Sequence, residues 1–333
     1  MTFYETTKYW LLRAFRGKIN CTFYKTFNHD IGQQINVYRG ILKMKKSTCI
    51  LGAHFSISGG LHEALIVAKR YGCSALQMFT KNSRTWKERT VSDEEIELFK
   101  KNRQKTSIEY IASHTSYLIN LAAPDSGNHS LSRNALEQEL IRSTALEIPF
   151  VVLHPGSHLG DGEKKGIDRI SGSINGIFEK NPGIKTRLLF ETTSGQGAGI
   201  GHTFEQLHEI IEKINRKDIT GVCLDTCHIF TAGYDIRTKE SYLKTTGAFD
   251  KIIGLEKLFL IHLNDSKRCL GSHVDRHEHI GKGEIGIDAF RLIMNDRRLA
   301  GIPKIIETPK TGGGKDWDRI NLRKLKTMAE LIK

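Results

Sequence analysis

Phe150-Val-Val-Leu-His154 opens a stretch in which one plan keeps returning: a short apolar run, a single His, Glu or Asp, then a longer amphipathic segment. The plan recurs in Leu188-Leu-Phe-Glu191, Gly221-Val-Cys-Leu-Asp225 and Leu258-Phe-Leu-Ile-His262. Upstream it is met in Cys49-Ile-Leu-Gly-Ala-His54 and Ile108-Glu-Tyr-Ile-Ala-Ser-His114, and downstream in Lys304-Ile-Ile-Glu307; Ala75-Leu-Gln-Met-Phe-Thr80 is a further strand-like run that ends in Thr. Most of these runs are apolar on both faces, as strands of a covered parallel sheet are. The intervening segments carry helical patterns at 61–71, 93–103, 131–146, 167–178, 204–214, 242–253, 287–294 and 317–331. Asp93-Glu-Glu is the acidic opening that suits a helix N-terminus. Eight strand–helix repeats predict an α/β chain, a single closed (β/α)8 barrel over residues 48–333. An open doubly wound sheet would need a Gly-rich phosphate loop after the first strand, and Gly52-Ala-His-Phe-Ser-Ile-Ser-Gly-Gly60 fits that fingerprint poorly.

Composition agrees with a large globular core: of 333 residues, 39% are hydrophobic and 26% charged. No apolar run reaches the roughly 18 residues that cross a bilayer, so no integral membrane protein is expected. The six cysteines form no dense framework, which favours reduced thiols inside a cell. The net charge is +13. Such a surface attracts polyanions, nucleic acid or anionic lipid, although solubility alone accounts for it equally well. Residues 1–47 hold nine basic and two acidic side chains and scattered aromatics without a period. They read as a basic N-terminal extension without catalytic residues: disordered, a targeting segment, or sequence preceding a true start at Met44.

The polar residues decide more. His54, His114, His154, Glu191, Asp225, His262 and Glu307 all fall where a strand ends. In a (β/α)8 barrel these ends share one rim, the rim that carries active sites. Asp225 and His228 share a side if the chain turns helically after the strand; Asp275 and His277 share a face if it is extended. Imidazole and carboxylate are the ligands that zinc and related ions take, and a cation relieves the repulsion among packed carboxylates. Cys223 and Cys227 lack a partner pair and read as small packed residues. His158, His273 and His279 read as supporting or surface residues, and His62, His129, His202 and His208 as solvent-facing.

Assembled in order, these strings resemble the endonuclease IV family of apurinic/apyrimidinic endonucleases over residues 48–310. The resemblance rests on Gly52-Ala-His54, on Phe79-Thr-Lys-Asn82 with Arg84 and Trp86, and on His114-Thr-Ser-Tyr117-Leu118-Ile-Asn120-Leu121. It continues through Leu153-His154-Pro-Gly-Ser-His158, Glu191-Thr-Thr-Ser-Gly-Gln-Gly197 and Cys223-Leu-Asp225-Thr-Cys-His228. It closes with His262-Leu-Asn-Asp265-Ser-Lys267, Asp275-Arg-His277-Glu-His279-Ile-Gly281 and Ile306-Glu307-Thr308. The resemblance implies three Zn²⁺ ions: His114 and His154 on the first, Glu191 bridging to a second completed by Asp225, His262 and Glu307, and His228, Asp275 and His277 on the third. His54, taken as a ligand from position alone, drops out of that set.

The resemblance further implies hydrolysis of the phosphodiester 5′ to an abasic site by a zinc-bridging hydroxide, with Glu191 and Glu307 as catalytic residues. The products would be a 3′-hydroxyl and a 5′-deoxyribose phosphate, with trimming of blocked 3′ ends in addition. Arg84, Tyr117 and Leu118 match positions that enter the DNA base stack, and Lys81, Lys267 and Arg276 are expected on phosphates. The expected partner is double-stranded DNA containing abasic sites, bound by a monomer. The expected compartment is the cytoplasm and nucleoid of a bacterium, or the nucleus or mitochondrion of a eukaryote. A sugar isomerase on a similar barrel would need fewer His than the five here and an enclosed pocket. A DNA-binding protein without catalysis would not need the intact ligand set.

Overall fold

The computed structural model describes residues 49–310 and 314–329; the extension at 1–47 and the last four residues lie outside them. Eight parallel strands close into a barrel in which each is bonded to its neighbours in sequence, and the last pairs with the first. They are β1 (Leu51–His54), β2 (Ala75–Met78), β3 (Tyr110–His114), β4 (Phe150–Leu153), β5 (Arg187–Glu191), β6 (Thr220–Asp225), β7 (Leu258–His262) and β8 (Lys304–Ile306). Every run read as a strand is one. No helix among the described residues is long and apolar enough to cross a membrane, and the five described cysteines are unpaired.

The helices are α1 (Leu61–Arg70), α2 (Asp93–Thr106), α3 (Ser126–Ala145), α4 (Glu163–Lys180), α5 (Phe204–Glu212), α6 (Thr226–Ala232), α7 (Lys239–Ile252), α8 (Ile287–Asn295) and α9 (Trp317–Ala329). Ser92 opens α2 with a reciprocal capping box to Glu95. The third helix begins five residues before its apolar pattern, because Asp125 caps it by accepting from the Asn128 amide while its first turn stays polar and exposed. The short α6, which the apolar pattern does not announce, follows directly from β6, with Asp225 as its cap.

Two apolar layers fix the barrel. One lies between strands and helices and includes Leu76, Ile111, Val151, Leu188, Val222, Ile261 and Ile306. The other fills the inside with Ala75, Ala112, Val152, Leu189, Cys223, Leu260 and Ile305. Side chains alternate along a strand, so the residue two places on from each inner member also points inward, one layer higher. Those residues are Gln77, His114, His154, Glu191, Asp225, His262 and Glu307. The polar ring at the barrel mouth therefore follows from the register of the apolar layer beneath it.

Close approach of β1 to β2 requires Gly52: a Cβ there would stand 1.9 Å from the Ala75 carbonyl oxygen and 3.1 Å from Ile305. Gly52→Ala is expected to lower unfolding free energy by about 3 kcal/mol, since backbone must move to admit the methyl. Denaturant unfolding checks this, and a change below about 1 kcal/mol would contradict it.

Candidate metal centre

Glu191 ends β5 with its carboxylate fully buried. Its Oε2 lies 3.0 Å from Nε2 of both His114 and His154, and its Oε1 lies 2.8 Å from His262 Nδ1. His262 Nδ1 also faces Glu307 Oε2 at 3.2 Å and Asp225 Oδ2 at 3.9 Å. A further cluster stands beside these: His228 Nε2 is 3.1 Å and His277 Nε2 3.3 Å from the two oxygens of Asp275. Among the described residues, five groups of side chains keep their ligand-type atoms within 4.8 Å of one another; two include Cys223 or Cys227, and the three without cysteine are His114–His154–Glu191, Glu191–Asp225–His262–Glu307 and His228–Asp275–His277. These are the three sets that the resemblance implied, Glu191 common to two of them.

Local structure explains the aim of each side chain. Asp225 Oδ1 accepts from the His228 amide, so the first turn of α6 places imidazole and carboxylate together. Asn264 donates to Asp225 Oδ2 and accepts from the Glu307 amide, tying β6 to the end of β8. His277 sits in a two-residue antiparallel pair with Asp265–Ser266, and buried Asp265 accepts from the Ser266, Gly283 and Ile285 amides to fold the returning loop.

The imidazoles have fixed faces. His114 Nδ1 meets the Thr115 carbonyl at 2.9 Å and His228 Nδ1 the Thr192 carbonyl at 2.8 Å, which leaves Nε2 of each toward the cluster. His262 is reversed: its Nε2 meets Gln77 Oε1 at 2.8 Å and its Nδ1 faces the carboxylates. Gln77 was missed in the sequence. Its signal is a lone amide in the apolar run of β2, a polar group whose burial demands partners.

Electrostatics and satisfaction both point to a cation. Burial pushes the Glu191 carboxyl up, but the imidazoles of His262, His154 and His114 outweigh it and hold the group well below the usual range. Burial lowers His228, yet Asp225 and Asp275 raise it well above the ordinary imidazole value. His228 Nε2 and His277 Nε2 are buried without a hydrogen bond. Two imidazole nitrogens paired with one carboxylate at 3.1 and 3.3 Å, without hydrogen-bond geometry, are a donor set that fits a metal ion. Cys223 and Cys227 stand near these groups. Burial pushes the Cys223 thiol up to about 12, and burial with the Asp225 charge pushes Cys227 up as well, in keeping with packed thiols.

The remaining histidines divide. His54 joins the ring but lies against Gln77 and Glu307, outside the three groups. His158 Nδ1 accepts from the Gly162 amide, His273 Nδ1 meets the Ser194 carbonyl, and His279 stacks on Trp317 at 3.8 Å. Of the four read as solvent-facing, His208 is exposed, His62 is half-buried beside Glu63, and His129 and His202 are half-buried against Ser173 and the Gly199 carbonyl.

Above the clusters opens a cleft of about 450 Å³ whose walls include His114, Tyr117, His154, Arg276 and Glu307. Tyr117 is 70% and Leu118 36% exposed, and Arg84, Lys267 and Arg276 face solvent. Lys81 does not, contrary to the phosphate-contacting role expected of it. Its Nζ donates to the Thr85 carbonyl at 2.6 Å and pairs with Glu88 at 3.4 Å.

The family model described as xylose isomerase-like TIM barrel matches residues 65–329. Probable endonuclease 4 of Geotalea daltonii is 46% identical over 280 residues, 84% of this chain and 98% of that protein. The chain belongs to the endonuclease IV family. Probable endonuclease 4 of Geobacter sulfurreducens is likewise 46% identical, over 84% of this chain and 94% of its own length. The crystal structure of endonuclease IV from Thermus thermophilus superposes with a TM-score of 0.75 at 33% identity, covering 84% of this chain and 99% of that one.

Within this endonuclease IV chain, the segment bearing Arg84 is held from below by a buried network. Arg142 donates to Thr80 Oγ1 at 2.8 Å, Glu139 Oε2 at 2.7 Å, Glu88 Oε2 at 3.0 Å and the Arg89 carbonyl at 3.3 Å. Thr80 donates in turn to Glu139. Arg142→Met leaves the Glu139 carboxylate buried and unpaired, so a loss of about 4 kcal/mol is expected in denaturant unfolding. Limited proteolysis should then cut within residues 81–89; a variant as stable and as resistant as the parent would contradict this.

Proposed function

We propose that this chain is a zinc-dependent endonuclease of DNA repair that hydrolyses the phosphodiester 5′ to an abasic nucleotide, leaving a 3′-hydroxyl and a 5′-deoxyribose phosphate. The same site would trim blocked 3′ ends. The observation that carries the reading is the sharing of the buried Glu191 between two ligand groups, with a third group alongside and orphaned imidazole nitrogens in it. His114 and His154 would hold one zinc ion with Glu191; Asp225, His262 and Glu307 a second with Glu191; and His228, Asp275 and His277 a third. Bound zinc supplies Lewis acidity, bringing the pKa of water to about 7 and neutralising phosphate charge.

The chain's own residues do the rest. Glu191 sets the spacing of two ligand groups and lends its negative charge to both. Glu307, which lines the cleft, orients the attacking water and accepts its proton. Arg84, Tyr117 and Leu118 replace the stacking that a missing base has given up, and a nucleotide without a base leaves the stack at lower cost. Lys267 and Arg276 contact backbone phosphates. Double-stranded DNA with abasic sites is the substrate, taken by a single copy of the chain.

Incision of a duplex with one abasic site tests the reading. Chelator treatment is expected to abolish cutting, and added Zn²⁺ to restore it. Glu191→Gln keeps the volume but removes a charge, and should lower kcat by about 10²-fold or more, the scale of individual catalytic groups. Arg84→Ala should retain its metals and lose preference for abasic over intact duplex. Incision that survives chelation, or Glu191→Gln cutting at the parent rate on saturating DNA, would overturn the proposal.

A further inference from the structure

The ring at the barrel mouth has one member that bears no charge and offers no metal ligand, Gln77. It stands on β2 two residues beyond the inner apolar layer, as His114 does on β3 and Glu191 on β5. It is fully buried. Its amide makes three contacts, all to ring members. Nε2 donates to Glu307 Oε1 and lies 3.1 Å from His54 Nδ1, while Oε1 lies 2.8 Å from His262 Nε2.

The order of these contacts is forced. An ionised carboxylate only accepts, so the NH2 end of the amide must face Glu307. Its second hydrogen then goes to His54 Nδ1. Only the carbonyl end remains for His262, and a carbonyl only accepts, so His262 must carry a proton on Nε2. In its neutral form His262 then has its free lone pair on Nδ1, the nitrogen that faces Glu191, Asp225 and Glu307. His114 in the ring and His228 on α6 take their orientation from backbone carbonyls instead. Around the Glu307 carboxylate, Gln77 is joined by His54 Nδ1 at 3.5 Å and His262 Nδ1 at 3.2 Å, whereas Asp225 is held by Asn264 and the α6 amide.

We infer that Gln77 is a positioning residue that sets the imidazole tautomer of His262 and the rotamer of Glu307, and so decides how firmly the Glu191–Asp225–His262–Glu307 group holds its metal ion. The inference rests on the metal-centre reading proposed above. An apolar residue of the same length has no donor for Glu307 and no acceptor for His262. The outer partners of metal ligands typically contribute 10–100-fold in affinity. The other two groups do not touch Gln77 and keep their own supports.

Gln77→Met preserves length and volume, and the test compares it with the parent as full-length, zinc-loaded protein. Titration with a chromophoric chelator is expected to withdraw one ion of three about 10–100-fold more readily from the variant, with the other two held as in the parent. Nitrogen NMR of ¹⁵N-histidine-labelled parent should show one imidazole metallated at Nδ1 with a slowly exchanging Nε2 proton, a signature absent from Gln77→Met. Equal retention of all metal by both proteins would overturn the inference. So would uniform weakening of all three sites together with a lowered Tm, which would mark Gln77 as packing only. A parent that binds no zinc would instead defeat the metal-centre reading itself.

Discussion

A fully buried carboxylate at the mouth of the barrel, Glu191, is the constraint on which the rest of the site depends. Removing an ionised carboxylate from water costs several kcal/mol unless it is paired and hydrogen-bonded. Here the compensation comes from the imidazoles of His114, His154 and His262, each near 3 Å from one of its oxygens. Those imidazoles need defined faces to serve, which the Thr115 carbonyl supplies for His114 and the Gln77 amide for His262. Bringing Asp225, Asp275 and Glu307 alongside adds like charge to the same small volume. Divalent cations would offset that charge, and the same imidazoles and carboxylates are the ligand types such ions take.

The barrel is what makes this affordable. Alternation along each strand puts one inner apolar layer directly under the polar ring, so the same register that packs Ala112, Val152, Leu189 and Leu260 aims His114, His154, Glu191 and His262. Chemistry and stability share the strands but occupy successive layers. The exposed groups, Arg84, Tyr117 and Leu118, ride on loops above them. The Arg84 segment in particular is anchored from beneath by Arg142, Glu139 and Thr80, with Lys81 folded back into it. A rigid support under an exposed side chain suits the base-stack insertion proposed for Arg84.

Much of this was legible in the sequence because strand ends in parallel barrels change abruptly from apolar to polar, and His154, Glu191 and Asp225 mark that change by themselves. Gln77 escaped because its run continues through Met78 and Phe79 to Thr80, so no polar terminus marks where the strand stops. Lys81 was misread because a lysine is exposed by default, and only the tertiary fold reveals the carbonyls and the glutamate that bury it. His54 carries the right position without the ligand geometry: it points into the ring, but toward Gln77 and Glu307. The start of α3 was hidden for a simpler reason, since a capped and solvent-exposed first turn has no apolar period to read.

The most direct test of the account is anomalous scattering at the zinc edge from crystals of the full chain purified without added metal. The account predicts three peaks, one within each group of ligands, two of them sharing the carboxylate of Glu191. A single peak, or none in contact with Glu191, would contradict it.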